Sequence, residues 1–249
     1  MGTRESEIIA AFTGLADRLV DDYDVVDLTT QLAEDCARLM DVAAVGLLLA
    51  DATGVLHLLA ATSEEARKLE AFQLQRDEGP CLDCYHSGAR ISVADLRTEK
   101  VRWPRFAASA AQQGFASVHA IPMRLRHDRL GALGLFGTEP GTLGDDDLQL
   151  AQGLAHVASI AIVQNNSTLE QGSVLGALQS AVASRGVVEM AKGVLSEAQS
   201  VDMQEAFNRL RGYARDHQQH LTDVAREIVS RRLPADQLLS KSASDLNAN

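Results

Sequence analysis

The spacing of hydrophobic residues changes along the chain, and the order of these changes predicts an α+β fold. Apolar residues at helical spacing occupy 5–20 and 25–41, which predicts two helices at the start. Two short apolar runs follow, at 43–50 and 55–61, around the turn-forming sequence Asp-Ala-Thr-Gly. The chain is therefore expected to begin with two helices and a β-hairpin.

The following hundred residues predict further helices and a second hairpin. The expected elements are a helix from Ser63 to before Gly79, a short helix ending at Gly88, a strand at 91–96, a helix at 103–113, strands at 116–125 and 130–137, and a helix at 144–164. Strands paired in hairpins do not follow the regular alternation of a doubly wound parallel sheet. We therefore expect an antiparallel sheet with flanking helices.

Beyond residue 164 only helical spacing occurs, and it predicts an all-α second domain of three helices, at 174–198, 203–216 and 222–233. Asp202 is expected to cap the middle helix, and Pro234 to stop the last one. The segment Asn-Asn-Ser-Thr at 165–168 contains neither Gly nor Pro, so a break and a long continuous helix both remain open. The predicted divisions are a first domain at 1–165, a helical linker at 166–177, a second domain at 178–235 and a disordered tail at 236–249.

Charge differs between the two predicted domains. The chain of 249 residues has a formal net charge of −11, which argues against a general affinity for nucleic acid or anionic membranes. Residues 1–165 contain 14 basic and 24 acidic side chains, whereas residues 178–233 contain 8 and 7. The second domain is nearly neutral, so a local basic face there could meet a phosphate backbone.

Membrane and export signals are not expected. No stretch approaches the roughly 20 apolar residues that span a bilayer, and the N-terminus has no signal-peptide pattern. The three cysteines fit reduced thiols better than a disulfide framework. The protein is therefore expected to be cytoplasmic.

Motifs in the second domain are typical of a known regulatory module. They are Ala191-Lys192-Gly193, Glu205-Ala206-Phe207, Leu210-Arg211, Ala214-Arg215 and Asp223-Val224-Ala225. With these motifs, the segment from Ser184 to Leu233 resembles an ANTAR domain. The resemblance implies a three-helix unit that binds paired RNA hairpins in nascent transcripts and prevents transcription termination.

Motifs in the first domain are similar to those of GAF sensor domains, in particular those that precede ANTAR modules. They are Asp77-Glu78-Gly79-Pro80-Cys81, Trp103-Pro104-Arg105-Phe106, Ser117-Val118-His119-Ala120-Ile121-Pro122-Met123 and Gly131-Ala132-Leu133-Gly134-Leu135-Phe136. The resemblance implies a signal-sensing domain built on a PAS-like antiparallel sheet with flanking helices, with an unidentified small molecule as a candidate ligand and no cofactor. Together the two resemblances imply a signal-responsive antiterminator, expected to act as a homodimer and not as an enzyme.

Candidate RNA contacts are cationic side chains of the second domain and one glycine. They are Lys192, Arg211 and Arg215, then Arg185 and Arg209 as weaker candidates, and Gly193. Arg211 and Arg215 lie one helical turn apart, outside the apolar stripe, so both could grip phosphate. Gly193 would allow either close backbone approach or close helix packing. The alternative for each arginine is an ordinary solvated face.

Cys81 and Cys84 form a CxxC sequence in the first domain. A redox pair and two unreactive reduced thiols both remain open. A structural zinc site is disfavoured, because Cys36 is the only other thiol and zinc usually takes four ligands. No metal site is predicted.

Two other functions compete with antitermination. One is a protein-interaction adaptor that does not bind RNA and whose basic residues serve only solubility. The other is a thiol-dependent GAF-fold reductase, in which Cys81 would be the nucleophile and Cys84 the resolving thiol.

Overall fold

The computed structural model describes residues 3–17, 23–141, 143–164 and 174–238. The chain separates into two compact units, divided between Val182 and Ala183. The choice between a break and a continuous helix at 165–168 lies outside the described residues, as do most of the predicted linker and residues 239–249 of the predicted tail.

The first unit is a five-stranded sheet with helices on both faces. Its elements are α1 Thr3–Asp17, α2 Val25–Leu39, β1 Ala44–Ala50, β2 Leu56–Ala61, α3 Glu64–Arg76, α4 Pro80–Ser87, β3 Ile91–Val93, a 3₁₀-helix Leu96–Thr98, α5 Pro104–Gln112, β4 Ser117–Leu125, β5 Asp128–Gly137 and α6 Asp145–Gln164. The strand order is β2-β1-β5-β4-β3, and every neighbouring pair is antiparallel. The predicted α+β class with an antiparallel sheet is confirmed.

The sheet is buried because different helices cover its two faces. α2 and α6 contact the strands on one side, and α1 packs on both of these helices. α3 contacts β1 and β2, and α4 contacts β3, β4 and β5. α5 in turn packs on α3. All seven residues of β1 are consequently buried, which explains why this strand reads as a continuous apolar run.

Helix ends follow local side-chain chemistry. The Asp24 carboxylate accepts the N–H of Val26 at 2.8 Å and caps α2, and the Ser63 hydroxyl accepts the N–H of Ala66 at 3.1 Å and caps α3. Asp and Ser are common caps, because their side chains accept hydrogen bonds from the free N–H groups of a first turn. β3 is shorter than the predicted strand at 91–96, because Asp95 caps a 3₁₀-helix through the N–H of Arg97.

The second unit contains the predicted set of helices. α7 spans Val174–Gln199, α8 Met203–Asp216 and α9 Leu221–Val229, followed by a 3₁₀-helix at Ala235–Leu238. The division between the units falls within α7. The core of this unit consists of apolar side chains from the three helices: Val188, Ala191, Leu195, Ala206, Phe207, Leu210, Ala214, Val224, Ala225 and Ile228.

The last helix and the predicted tail depart from expectation. α9 ends at Val229, before the predicted Leu233, because Arg231 adopts a left-handed conformation with φ 60°. The N–H groups of Arg232 and Leu233 return to the carbonyl of Glu227. Residues 236–238 of the predicted disordered tail belong to a 3₁₀-helix, because burial of Leu238 holds them on the unit.

Candidate functional site

The six residues predicted to meet RNA lie on α7 and α8, and their exposure differs widely. The side chains of Arg185, Lys192 and Arg209 retain only 15%, 9% and 19% exposure. Arg211 is half-buried and Arg215 is exposed. The helical pattern placed Arg211 and Arg215 outside the apolar stripe of their helix, but it did not show that the other three cations are largely covered.

Glu189 joins two of these cations on α7. Lys192 Nζ lies 3.0 Å from both Oε1 and Oε2 of Glu189, and the Arg185 guanidinium donates to Oε1 of the same carboxylate. Lys192 Nζ also lies 5.6 Å from the ring centroid of Phe207 on α8, a cation–π distance. These three charged side chains therefore form one cluster, which we call the Glu189 cluster.

Arg209 connects α7 to α8. Its Nε donates to Glu205 Oε1 at 2.7 Å, and its Nη1 donates to Gln199 Oε1 at 2.7 Å. Glu205 lies on the same helix, whereas Gln199 is the last residue of α7. Arg209 therefore links the two helices.

Gly193 has open space beside it. A Cβ atom built on Gly193 would meet no described atom within 4 Å, and the same holds for Gly186. Close helix packing within the described chain therefore does not explain Gly193.

Three further arginines were not among the predicted site residues. Arg226, Arg231 and Arg232 are exposed after the start of α9. Arg226 and Arg232 line a groove of about 770 Å³ with the turn Gln218–His220, and Arg226 pairs with Asp223 at 2.7 Å. For Arg226 the available sequence signal was the polar face of the amphipathic α9, whereas Arg231 and Arg232 follow the end of that helix.

The CxxC pair lies on α4 in the core of the first unit. Cys81 and Cys84 are both completely buried, and both are free thiols. Burial raises the pKa of Cys84 to about 12, and burial together with the nearby Glu70 raises the pKa of Cys81 well above its usual value. A nucleophilic or redox-active cysteine requires the thiolate, so this environment favours unreactive thiols.

Glu70 is an internal carboxyl group that the sequence patterns did not single out. It lies on α3 with no solvent exposure, and burial raises its pKa to about 8. Its Oε2 accepts Gln73 Nε2 at 2.7 Å, and Cys81 Sγ lies 3.4 Å from its Oε1. Gln73 Oε1 also accepts the N–H of Cys81 at 3.0 Å, so this polar cluster connects α3 with α4.

Two glycines in the sheet leave room for the Glu70 carboxyl group. Gly46 of β1 and Gly134 of β5 face each other in the register of the two strands. A Cβ atom on either residue would lie 2.6 Å from Glu70 Oε1, closer than packed atoms approach. This site thus depends on three elements that are distant in sequence.

The Asp77–Cys81 motif, which contributed to the GAF resemblance, connects the helices. The Glu78 carboxylate accepts the N–H groups of Arg105 and Phe106 at 2.7 and 2.9 Å, so it caps α5 from a distance. Asp83 accepts Trp103 Nε1 at 3.2 Å at the same junction. These contacts provide a structural reason for the motif.

Metal-binding clusters and membrane-spanning helices are both absent from the described residues. Among the residues with described positions, no three His, Cys, Asp or Glu side chains are grouped so that they could hold a metal ion. Over the same residues, no helix has both the length and the hydrophobicity needed to cross a membrane.

We expect the thiols of the folded chain to react slowly. At about pH 7.5, alkylation of Cys81 and Cys84 should be at least about tenfold slower in the native chain than in guanidinium, because burial disfavours the thiolate. Mass spectrometry of iodoacetamide-labelled peptides measures both sites, and Cys81→Ser identifies any signal from Cys84 alone. Rapid labelling of Cys81 in the native chain would contradict the buried-thiol interpretation.

Family comparisons match both parts of the chain. A GAF domain model matches residues 22–163, which is more than half of the sequence. An ANTAR domain model matches residues 176–229. No curated protein matches the chain.

Solved structures similar to the chain share its fold at low identity. The GAF domain of an Acinetobacter phosphoenolpyruvate-protein phosphotransferase is 14% identical, with a TM-score of 0.51, 74% of this chain covered and 97% of that one. The corresponding Coxiella burnetii domain is 13% identical, with a TM-score of 0.51 and coverages of 67% and 98%. The free methionine-R-sulfoxide reductase of Neisseria meningitidis is 14% identical, with a TM-score of 0.50 and coverages of 68% and 96%. At these identities the similarity concerns the fold alone.

Proposed function

This chain belongs to the GAF domain family and carries an ANTAR domain after its GAF domain, and from this arrangement we propose that it is a signal-responsive transcription antiterminator. ANTAR domains are RNA-binding antitermination modules, and GAF domains are sensor domains. In the proposed function, a signal received by the GAF domain controls binding of the ANTAR domain to paired hairpins in a nascent transcript. The succession of the two domains carries this proposal.

Two arginines of α8 support a phosphate contact. Arg215 is exposed near the C-terminal end of α8, and Arg211 lies one turn before it. Side chains four residues apart on a helix share a face, so both guanidinium groups can contact one phosphate backbone. We propose these two arginines as the outer RNA contacts.

The charge balance of the ANTAR domain predicts how RNA binding depends on salt concentration and on dimerisation. Residues 178–233 contain 8 basic and 7 acidic side chains, so attraction to RNA depends on a few local charges. Such binding weakens with salt, because each neutralised phosphate releases counterions. A homodimer would present two such faces to two hairpins, and the linked second contact would strengthen binding. We propose this arrangement, in the cytoplasm, as the working state.

The buried thiols bear on the competing reductase function. Cys81 and Cys84 are without solvent exposure, and their raised pKa values disfavour the thiolate that would attack a sulfoxide. The protein-interaction adaptor is separated from the proposal by direct measurement of RNA binding.

We expect Arg211→Ala combined with Arg215→Ala to lower RNA affinity at least about tenfold, because two phosphate contacts are lost. The measurement is fluorescence anisotropy of a labelled dual-hairpin RNA with the full chain, at about 50 and 200 mM salt. The double variant should also show a shallower dependence of affinity on salt.

The matched control is Arg67→Ala with Lys68→Ala, which removes two exposed cations from α3 of the GAF domain. This control has the same net charge as the test variant, and it should keep the wild-type affinity. If the wild-type chain binds no dual-hairpin RNA even at low salt, antitermination is the wrong function and the adaptor is favoured.

A further inference from the structure

The Glu189 cluster places its one acidic side chain outside its two basic ones. The Glu189 side chain is 38% exposed, whereas those of Arg185 and Lys192 are 15% and 9% exposed. The carboxylate contacts both cations, and Lys192 approaches both of its oxygens at 3.0 Å. A ligand from solvent thus meets Glu189 before it meets either cation.

Two glycines lie beside this cluster. At 100° per residue, Arg185, Glu189 and Lys192 fall in one row along α7, and Gly186 and Gly193 fall in the neighbouring row. Both glycines are exposed, and a Cβ on either would meet no described atom within 4 Å. The two glycines leave a shallow track beside the charged row, bordered on its other side by the exposed Met190, in which a polymer backbone can lie close.

Phe207 holds the inner end of the cluster in position. Its ring lies 5.6 Å from Lys192 Nζ and belongs to the core of the ANTAR domain. The lysine stem is packed in that core, so the ammonium group is fixed at the edge of the track. Of the three charged side chains, Glu189 is the one with the most freedom to move towards solvent.

We propose that Glu189 occupies the position of an RNA phosphate, and that binding of RNA exchanges this carboxylate for a phosphate group at Arg185 and Lys192. The inference rests on the proposed RNA-binding function. Carboxylate and phosphate both offer paired anionic oxygens to arginine and lysine donors, so the exchange preserves the charge-assisted hydrogen bonds. The Glu189 carboxylate thus competes with RNA phosphate for Arg185 and Lys192, and this competition limits the affinity for RNA.

The test variant is Glu189→Gln, which keeps the size of the side chain and removes its charge. The full chain with this substitution should bind dual-hairpin RNA about threefold more tightly or better at about 50 mM salt, because the cations are released from a surface ion pair. The logarithmic dependence of affinity on salt should steepen by up to about 0.9, which corresponds to one additional phosphate contact. Circular dichroism of the same samples verifies that the helices are retained.

Two further variants make the test specific. Glu197→Gln removes the same charge from an exposed position of α7, and it should change the affinity by less than about twofold. Adding Lys192→Gln to Glu189→Gln should remove most of the gain, because the released ammonium group is then absent. An unchanged gain in that double variant would overturn the proposed exchange.

The outcomes separate this inference from the proposed function. If the wild type binds RNA and Glu189→Gln binds equally or more weakly with its helices intact, Glu189 is not a phosphate competitor and antitermination is unaffected. If neither the wild type nor any variant binds RNA, both proposals fail.

Discussion

Replacement of Gly131 by alanine is expected to destabilise the GAF domain by about 3 kcal/mol or more. Gly131 lies in β5 between β1 and β4, opposite Leu49 on one side and Met123 on the other. A Cβ atom there would lie 1.9 Å from the carbonyl oxygen of Leu48, which is backbone and has no rotamer to change. Two central strands would have to separate, and the antiparallel pairing would be disturbed.

Trp103 reports this effect on the GAF domain alone. It is the only tryptophan in the chain, and it is 2% exposed in the folded GAF domain. Urea unfolding of the full chain, followed by Trp103 fluorescence, gives the change in midpoint. The matched glycine is Gly14 of α1, where a Cβ would meet nothing within 4 Å and alanine favours the helix by up to about 1 kcal/mol. Equal midpoints for Gly131→Ala and the wild type would show that residue 131 does not lie this close to the Leu48 carbonyl oxygen.

Replacement of Glu70 by glutamine is expected to stabilise the GAF domain above neutral pH. Burial raises the pKa of Glu70 to about 8 in the folded chain, against an ordinary value of 4.5. Between these values the folded chain retains a proton that the unfolded chain releases. Wild-type stability attributable to Glu70 is therefore fully present below the ordinary pKa, and it is lost as pH rises through the folded pKa, by about 1.4 kcal/mol per pH unit.

Glutamine has no charge to bury, so its contribution should not vary over this range. The difference in the free energy of unfolding between Glu70→Gln and the wild type should grow by on the order of 3 kcal/mol from pH 5 to pH 8. Trp103 fluorescence in urea at several pH values measures this difference. Glu65→Gln, at an exposed position of the same helix, should give a difference that is nearly constant. A constant difference for Glu70→Gln as well would mean that the buried carboxyl does not titrate in this range.

Most of the fold could be predicted because its signals are local. The caps at Asp24, Ser63 and Asp202 satisfy N–H groups two or three residues away, and the structure retains all three. The end of α9 could not be predicted in the same way. Pro234 marks a position where a helix cannot continue, but the left-handed conformation of Arg231 ends it sooner.

The candidate site could be predicted only as a set of residue types. Periodicity on α8 predicts a buried stripe of Met203, Ala206, Phe207, Leu210 and Ala214, and the last four are buried. Met203, in the first turn of the helix, is 43% exposed. Periodicity does not indicate that Arg209 reaches Gln199 on another helix or that Lys192 is covered. Long basic side chains bury their stems and choose among several partners, so their accessibility depends on neighbouring helices.

The amino-acid sequence by itself determined the order of the helices and strands, the GAF and ANTAR domains and the uneven distribution of charge, because each depends on residues that are near in sequence. The tertiary structure alone decided which charges are accessible. Glu70 is buried because Gly46 and Gly134, far apart in the chain, pair beneath it. Cys81 and Cys84 are shielded because α4 packs on β4 and β5. Burial and the pKa shifts that follow from it depend on the atoms surrounding a group, and folding brings those atoms together from distant segments.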